Sequence, residues 1–420
     1  MVRSFWRALK SLGVMAENMI TFLARAALLV LLSWLTSPAL AYTALSDHFL
    51  KLVPSGGDDF DIDHGKLLAP ILIPRVPGTP GQAAAQEHFV NFFREGLPSW
   101  SIEWFNSTGK TPVTGNREIP FQNLLFKREP PWVKEGQSNL LTLVAHYDSK
   151  ISPEGFIGAT DSAVPCAILM HVARSIDRFV TQMHDEMNAL GEGGSVPMDM
   201  GVQILLLDGE EAFKDWTETD SLYGARYDLL RLTVTVTLQF PKDYRISNYR
   251  ESTNSTCRAL AEHWETSYHP ANSFYKNPLD QISMFVLLDL LGSPNPSVRS
   301  PFLPTHWAYR AMAGIEQRMR QLSLLESTPA GPFLPDAEKV FSKFGRGMVE
   351  DDHLPFMRRG VPILHVIATP FPSVWHTMDD DGAHLDMPTV RDWARIVTAF
   401  ALEWLDMMEV EPKDEVPASR

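Results

Sequence analysis

Apolar residues in this chain gather into short, nearly continuous runs, and between the runs lie longer stretches with helical spacing. Gly201–Leu207 is apolar at almost every position and is bounded by Gly and Asp, which predicts a buried strand. Asn139–Ala145, Gln281–Leu288 and Val361–Ile367 read the same way. Ser162–Val180, Trp307–Leu325 and Met387–Met408 instead repeat their apolar residues on one helical face. Gln82–Glu95 does so through Phe89, Val90, Phe92 and Phe93. Buried strands alternating with helices predict a layered α/β fold with a largely parallel sheet. Residues 42–135 otherwise mix short helical stretches with Pro/Gly punctuation, and 191–200 reads as a loop. The expected organisation is one α/β domain over 42–410 with a frayed tail at 411–420.

One region departs from this pattern. An alternating run, Leu232-Thr233-Val234-Thr235-Val236-Thr237, is followed by polar sequence without periodicity. Removing 227–258 would join Gly224-Ala225-Arg226 to Ala259-Leu260-Ala261 as one helix start. The segment therefore reads as a surface insertion, of the kind a translated, unspliced intron would leave.

Composition adds bounds rather than an identity. With 420 residues, 45% hydrophobic and 21% charged, the chain is an ordinary globular one, and its net charge of −14 argues against nucleic-acid binding. Residues 1–41 resemble a secretory leader: Arg25 precedes the apolar run Ala26–Leu35, and Ala39-Leu40-Ala41 is a small-residue cleavage site. The run is too short to span a bilayer, so the expectation is cleavage after Ala41, a secreted monomer and no stable membrane association; a retained leader would act as a signal anchor. Asn106-Ser107-Thr108 and Asn254-Ser255-Thr256 are glycosylation sequons, and the two cysteines, Cys166 and Cys257, are too few for a disulfide framework.

Chemistry concentrates where the strands end. Leu207 is followed by Asp208-Gly209-Glu210-Glu211. Successive side chains there point to opposite sides, so one glutamate can bind a metal while its neighbour carries protons. His146 and Asp148, Asp161, Asp289, Asp351 and Asp352, and His376 occupy comparable positions. Open α/β sheets build their sites at the carboxyl ends of strands. Each residue alone has a bland alternative: Asp161 could N-cap a helix, Asp148 a turn, and His365 in an apolar strand reads as a core histidine. Together, two carboxylates and one imidazole give a three-ligand site with an open fourth position, the arrangement of catalytic zinc. Trp216, Phe371 and Trp375 lie close to these residues and read as walls of the site.

At these residues the sequence resembles the secreted glutaminyl-peptide cyclotransferases, themselves similar in fold to zinc aminopeptidases. The matching strings include Ala145-His146-Tyr147-Asp148-Ser149-Lys150, Gly158-Ala159-Thr160-Asp161-Ser162-Ala163-Val164-Pro165 and Asp208-Gly209-Glu210-Glu211-Ala212-Phe213. Asp351-Asp352-His353-Leu354-Pro355-Phe356 and Pro370-Phe371-Pro372-Ser373-Val374-Trp375-His376 follow in order. The resemblance implies a three-layer αβα fold with a mixed, centrally parallel sheet. It implies one zinc held by Asp161, Glu211 and His376, with Glu210 as general acid/base. It further implies that Asp289 and Asp351 help hold the reacting amide, and that Trp216, Phe371 and Trp375 line the pocket. The substrates would be peptides and proteins with N-terminal glutamine, cyclised to pyroglutamate with release of ammonia.

Three departures from that pattern stand out. Ala145 replaces a cysteine that relatives pair with the counterpart of Cys166, so that disulfide is not expected; Glu350 stands where relatives often have an amide; and 227–258 is extra. Two rivals remain. A two-zinc aminopeptidase would use His146 and Asp289 for a second metal, although Asp161-Ser162-Ala163-Val164-Pro165 is the cyclase string. A non-catalytic binding module would have shed ligands or the base, and none is missing here.

Overall fold

The structure, a computed structural model, describes residues 44–191, 199–217, 219–224, 260–345 and 347–407. The leader, most of the loop at 191–200, the segment 227–258 with Cys257 and its sequon, and the tail at 411–420 lie outside the described residues.

The described chain runs through helix α1 (Asp47–Leu52), helix α2 (Pro80–Gly96), strands β1 (Ser101–Lys110), β2 (Glu118–Arg128) and β3 (Asn139–His146), then helix α3 (Val164–Leu190) and strand β4 (Met200–Leu207). Helix α4 (Leu260–Thr266), strand β5 (Ile282–Asp289), helices α5 (His306–Gln321) and α6 (Leu354–Met357), strand β6 (Ile363–Ile367) and helix α7 (Met387–Trp404) complete it. The strands form one sheet in the order β1-β2-β4-β3-β5-β6. β3, β4, β5 and β6 pair in parallel, while β2 pairs antiparallel with both β1 and β4.

The expected layering follows from which residues each strand face buries. Val202, Ile204 and Leu206 of β4, with Met284, Val286 and Leu288 of β5, enter a large cluster with α2, α3, α5 and α7. The intervening residues, Leu205, Leu207, Phe285 and Leu287, pack on the other face against Leu260 and Trp264 of α4 and Phe356 of α6. Because both faces are covered, the central strands need apolar residues at nearly every position, which is the run-like pattern of the sequence.

Helix boundaries depart from expectation at α3. It starts at Val164, not Ser162, because Asp161 and Ser162 hold non-helical dihedrals in an irregular turn over Ala159–Ala163. It also continues past Val180 to Leu190, where Gly191 ends it in a left-handed conformation with φ of 69°. α5 stops at Gln321 rather than Leu325, and α7 at Trp404 rather than Met408. The hairpin β1–β2 was not expected. Its outer strand buries only Gly109, so the sequence there lacks the apolar alternation that marks a half-buried strand.

The two described residues that flank the extra segment touch: Leu260 N–H donates to the Gly224 carbonyl at 3.3 Å. With 227–258 excised, Leu260 would follow Gly224 by four positions, and this contact would be the i→i−4 bond of an α-helix. A protein lacking 227–258 is therefore expected to fold with an unchanged or higher melting temperature in a calorimetric scan. A drop of more than about 5 °C, roughly 4 kcal/mol for a chain of this size, would mean that the segment supports the fold.

Candidate metal centre

His146 and Asp289 end β3 and β5, Asp148, Glu210, Glu211 and His376 lie on loops that leave parallel strands, and Asp161 lies on the turn entering α3. Asp351 and Asp352, expected to follow a strand, instead lie in the segment that enters α6. β4 ends at Leu207, and Gly209 turns the chain with φ of 74°. A Cβ there would lie 2.4 Å from the Phe121 ring, so no other residue fits without displacing β2. The two following backbone N–H groups, of Glu210 and Glu211, donate to the two carboxylate oxygens of Asp148 at 3.1 and 3.2 Å. Asp148 thus holds the acidic pair by its backbone rather than capping its own turn. Farther along, Asp220 accepts N–H bonds from Phe213, Lys214 and Asp215 at 2.9–3.0 Å, which fixes the loop that carries Trp216.

The turn into α3 delivers Asp161. It does not cap the helix; its Oδ1 lies 3.0 Å from His146 Nε2 and its Oδ2 lies 3.5 Å from His376 Nε2. Glu211 Oε1 is 3.6 Å from the same His376 nitrogen. One donor atom from each of Asp161, Glu211 and His376 falls within 4.8 Å of the others, a spread that a divalent cation at the centre would draw together. The donor set fits zinc, and Glu211 Oε1 is buried without any hydrogen-bond partner among the described residues. An acceptor left so is costly unless something electropositive meets it. Glu211 Oε2 has Lys150 Nζ at 3.4 Å.

His376 is brought to the site by the loop after β6. Its backbone is left-handed, with φ of 57°, a conformation that costs a non-glycine residue about 1–2 kcal/mol. Trp375 stacks on its ring at 3.8 Å and Phe156 meets it edge-on at 6.3 Å. The same loop is tied to the Asp161 turn: Thr160 N–H donates to Asp380 Oδ1 at 2.7 Å, and Ala159 N–H to the Asp380 carbonyl at 3.0 Å. Burial pushes the Asp380 carboxyl up to about 6.

Glu210, Glu211, Asp161, Asp289 and His376 line a cavity of about 540 Å³ together with Trp216, Phe371 and Trp375. Burial raises the Glu210 carboxyl well above the usual range; His146 opposes this, while Asp351 and Glu211 add to it. His146 is raised despite its burial, because Asp148, Asp161 and Asp289 surround it. Asp289 goes the other way: burial would raise it, but the bond from His146 and the Ser162 hydroxyl hold it low. Asp351 is not on the cavity surface. It lies behind, paired with His365 at 2.7 Å and accepting the Asp352 N–H at 2.6 Å. His365 is thus a satisfied core histidine, as expected from its strand. Asp352 and His353 are buried beside this pair, and their side chains have no hydrogen-bond partner among the described residues.

Sequence reasoning missed Arg75. It is fully buried, and its guanidinium donates to the carbonyls of Tyr147 at 2.6 Å, Ile71 at 2.7 Å, Ile73 and Ile157 at 2.9 Å and Gly158 at 3.2 Å. One side chain therefore joins the loop bearing Asp148 to the turn bearing Asp161. Cys166, buried and without a disulfide partner among the described residues, donates its thiol to the His146 carbonyl at 3.2 Å.

The sequence matches the model of peptidase family M28 over residues 131–240 and 261–401. It is 37% identical to the glutaminyl-peptide cyclotransferase-like protein of Bos taurus over 345 residues, 81% of this chain and 74% of that one. It is 34% identical to the glutaminyl-peptide cyclotransferase of Boiga irregularis over 346 residues, 81% of this chain and 80% of that one. Among solved structures, a glutaminyl cyclase of Macrostomum lignano superposes with a TM-score of 0.63 at 27% identity, covering 87% of this chain and 97% of that one.

The Arg75 contacts generate a prediction. Arg75→Leu leaves several buried carbonyls unpaired and should lower stability by roughly 2–4 kcal/mol in urea denaturation. A loss under about 0.5 kcal/mol would mean that these bonds do not hold the loops together.

Proposed function

Since the chain belongs to peptidase family M28 and to the glutaminyl-peptide cyclotransferases, we propose that it cyclises N-terminal glutaminyl residues to pyroglutamate with one zinc ion held by Asp161, Glu211 and His376. The observation that carries the metal reading is the convergence of those three donors, with Glu211 Oε1 buried and unpartnered. A zinc ion bound there supplies Lewis-acid polarisation of the substrate's side-chain amide carbonyl. The remaining work falls to the chain itself. An N-terminal glutamine carries its own nucleophile, the α-amine, so no water needs activation. Glu210, buried beside the donors, takes a proton from the attacking α-amine and returns it to the departing nitrogen, which leaves as ammonia. Ring closure is intramolecular, so holding amine and carbonyl together supplies much of the acceleration.

Asp289 lines the cavity and offers a carboxylate, held low, to the amide N–H groups. Asp351, behind the surface, would act through Glu210, whose proton affinity its charge raises. Trp216, Phe371 and Trp375 enclose the glutaminyl side chain and exclude water. The aminopeptidase alternative needs a second metal on His146, Asp161 and Asp289, which do lie together. Here Asp289 Oδ1 already accepts from the Ser162 hydroxyl and the Leu290 N–H. That favours a single ion.

We further propose that the protein is exported. The leader pattern supports export, as does the exposed position of Asn106 on β1. Among the described residues no helix is long and apolar enough to cross a membrane.

A chelator-sensitive assay on a Gln-initiated peptide tests the reading, with ammonia release and metal content measured on one sample. Release of free amino acids without ammonia would overturn it in favour of the peptidase. Glu210→Gln is expected to keep its zinc and lose about 10²–10⁴-fold in kcat. A rate near that of the unmodified enzyme would remove Glu210 as the proton carrier. His376→Ala is expected to lose most of its zinc in elemental analysis, and full occupancy would mean that the ligand set is wrong.

A further inference from the structure

The rim of the cavity carries four charged side chains whose partners differ. Lys150 lies against Glu211 at 3.4 Å, and Lys214 against Asp215 at 3.9 Å. Glu350 is exposed, lines the cavity, and makes no ion pair among the described residues. Its backbone is anchored on both sides. Val349 packs against the apolar cluster of Leu290, Ile367 and Ala368, and Asp351 is buried and bonded to His365. The backbone is therefore fixed at the mouth, and it presents there a carboxylate with no ion-pair partner among the described residues.

A bound glutaminyl residue would direct its side chain toward the metal donors at the foot of the cavity, so the rest of the peptide must leave across this rim. Resting on the cyclisation reading above, we propose that Glu350 determines specificity by charge. It favours substrates with lysine or arginine within the two residues after the N-terminal glutamine and disfavours those with aspartate or glutamate there. Rim charges in water contribute modestly and are screened by salt, and one that touches no reacting atom acts on substrate capture. The discrimination should therefore reside in KM rather than kcat.

The test measures kcat and KM separately for amidated tripeptides beginning Gln-Lys, Gln-Ala and Gln-Glu, using zinc-loaded full-length protein, Glu350→Gln and Glu350→Lys, and compares their ratios kcat/KM. With the natural residue, the order should be Lys over Ala over Glu, with about a fivefold span at low ionic strength that shrinks in ~0.5 M salt. Glu350→Gln should collapse the span, and Glu350→Lys should invert the order. An unchanged span in Glu350→Gln, or no span in the natural protein, overturns the proposal while leaving cyclisation intact. No ammonia from any of the three peptides removes the cyclisation reading and this proposal with it.

Discussion

Like charges resist being buried together, yet Asp148, Asp161, Glu210, Glu211, Asp289, Asp351 and Asp352 are all withdrawn from water at one end of the sheet. The rest of the site can be understood as the set of compensations that make this tolerable. Asp148 is matched by two backbone N–H groups, Asp289 by a hydroxyl and an N–H, Asp351 by an imidazole, and His146 stands among three carboxylates. Each compensation also fixes a position, so solving the electrostatic problem and aiming the side chains are one task. Among the described residues, these contacts leave Glu211 Oε1 and both Asp352 oxygens unsatisfied, and of these residues only Glu211 lines the cavity. In the proposed reading it is completed by a cation.

The compensations explain why the parts are rigid where they are. The loop after β4 is held by Asp148 at its start and by Asp220 farther along, and the loop after β6 is tied through Asp380 to the turn that carries Asp161. Asp161 and His376 come from distant parts of the chain, yet the residues that flank them are bonded directly to one another. A change at Asp380 or Arg75 would therefore alter the geometry between ligands without removing any of them.

The central strands and the acidic pair Glu210-Glu211 were legible in the sequence because each has a local signature. A continuous apolar run marks a strand covered on both faces, and an acidic residue just beyond it marks the sheet's carboxyl edge. The hairpin β1–β2 was not legible: Ser101–Lys110 is an outer strand with little to bury. The last turns of α3 were missed because helical apolar spacing weakens beyond Val180, where residues such as Asp185 and Glu186 face solvent. Arg75 could not have been found by any pattern, since its partners are main-chain carbonyls, which every residue possesses. Asp161 was identified as a ligand on resemblance, and the capping role suggested by its neighbours gave way to an irregular turn.

Cys166 shows what this arrangement means for the life of the molecule. Its thiol is enclosed, pushed up to about 12 by burial, and engaged with the carbonyl of the residue that stands among the acids. A sulfur so protonated and so inaccessible is a poor nucleophile toward oxidants or alkylating agents. Once folded, the candidate donors therefore have beside them a thiol that is shielded from exchange with whatever disulfides or thiols surround the protein.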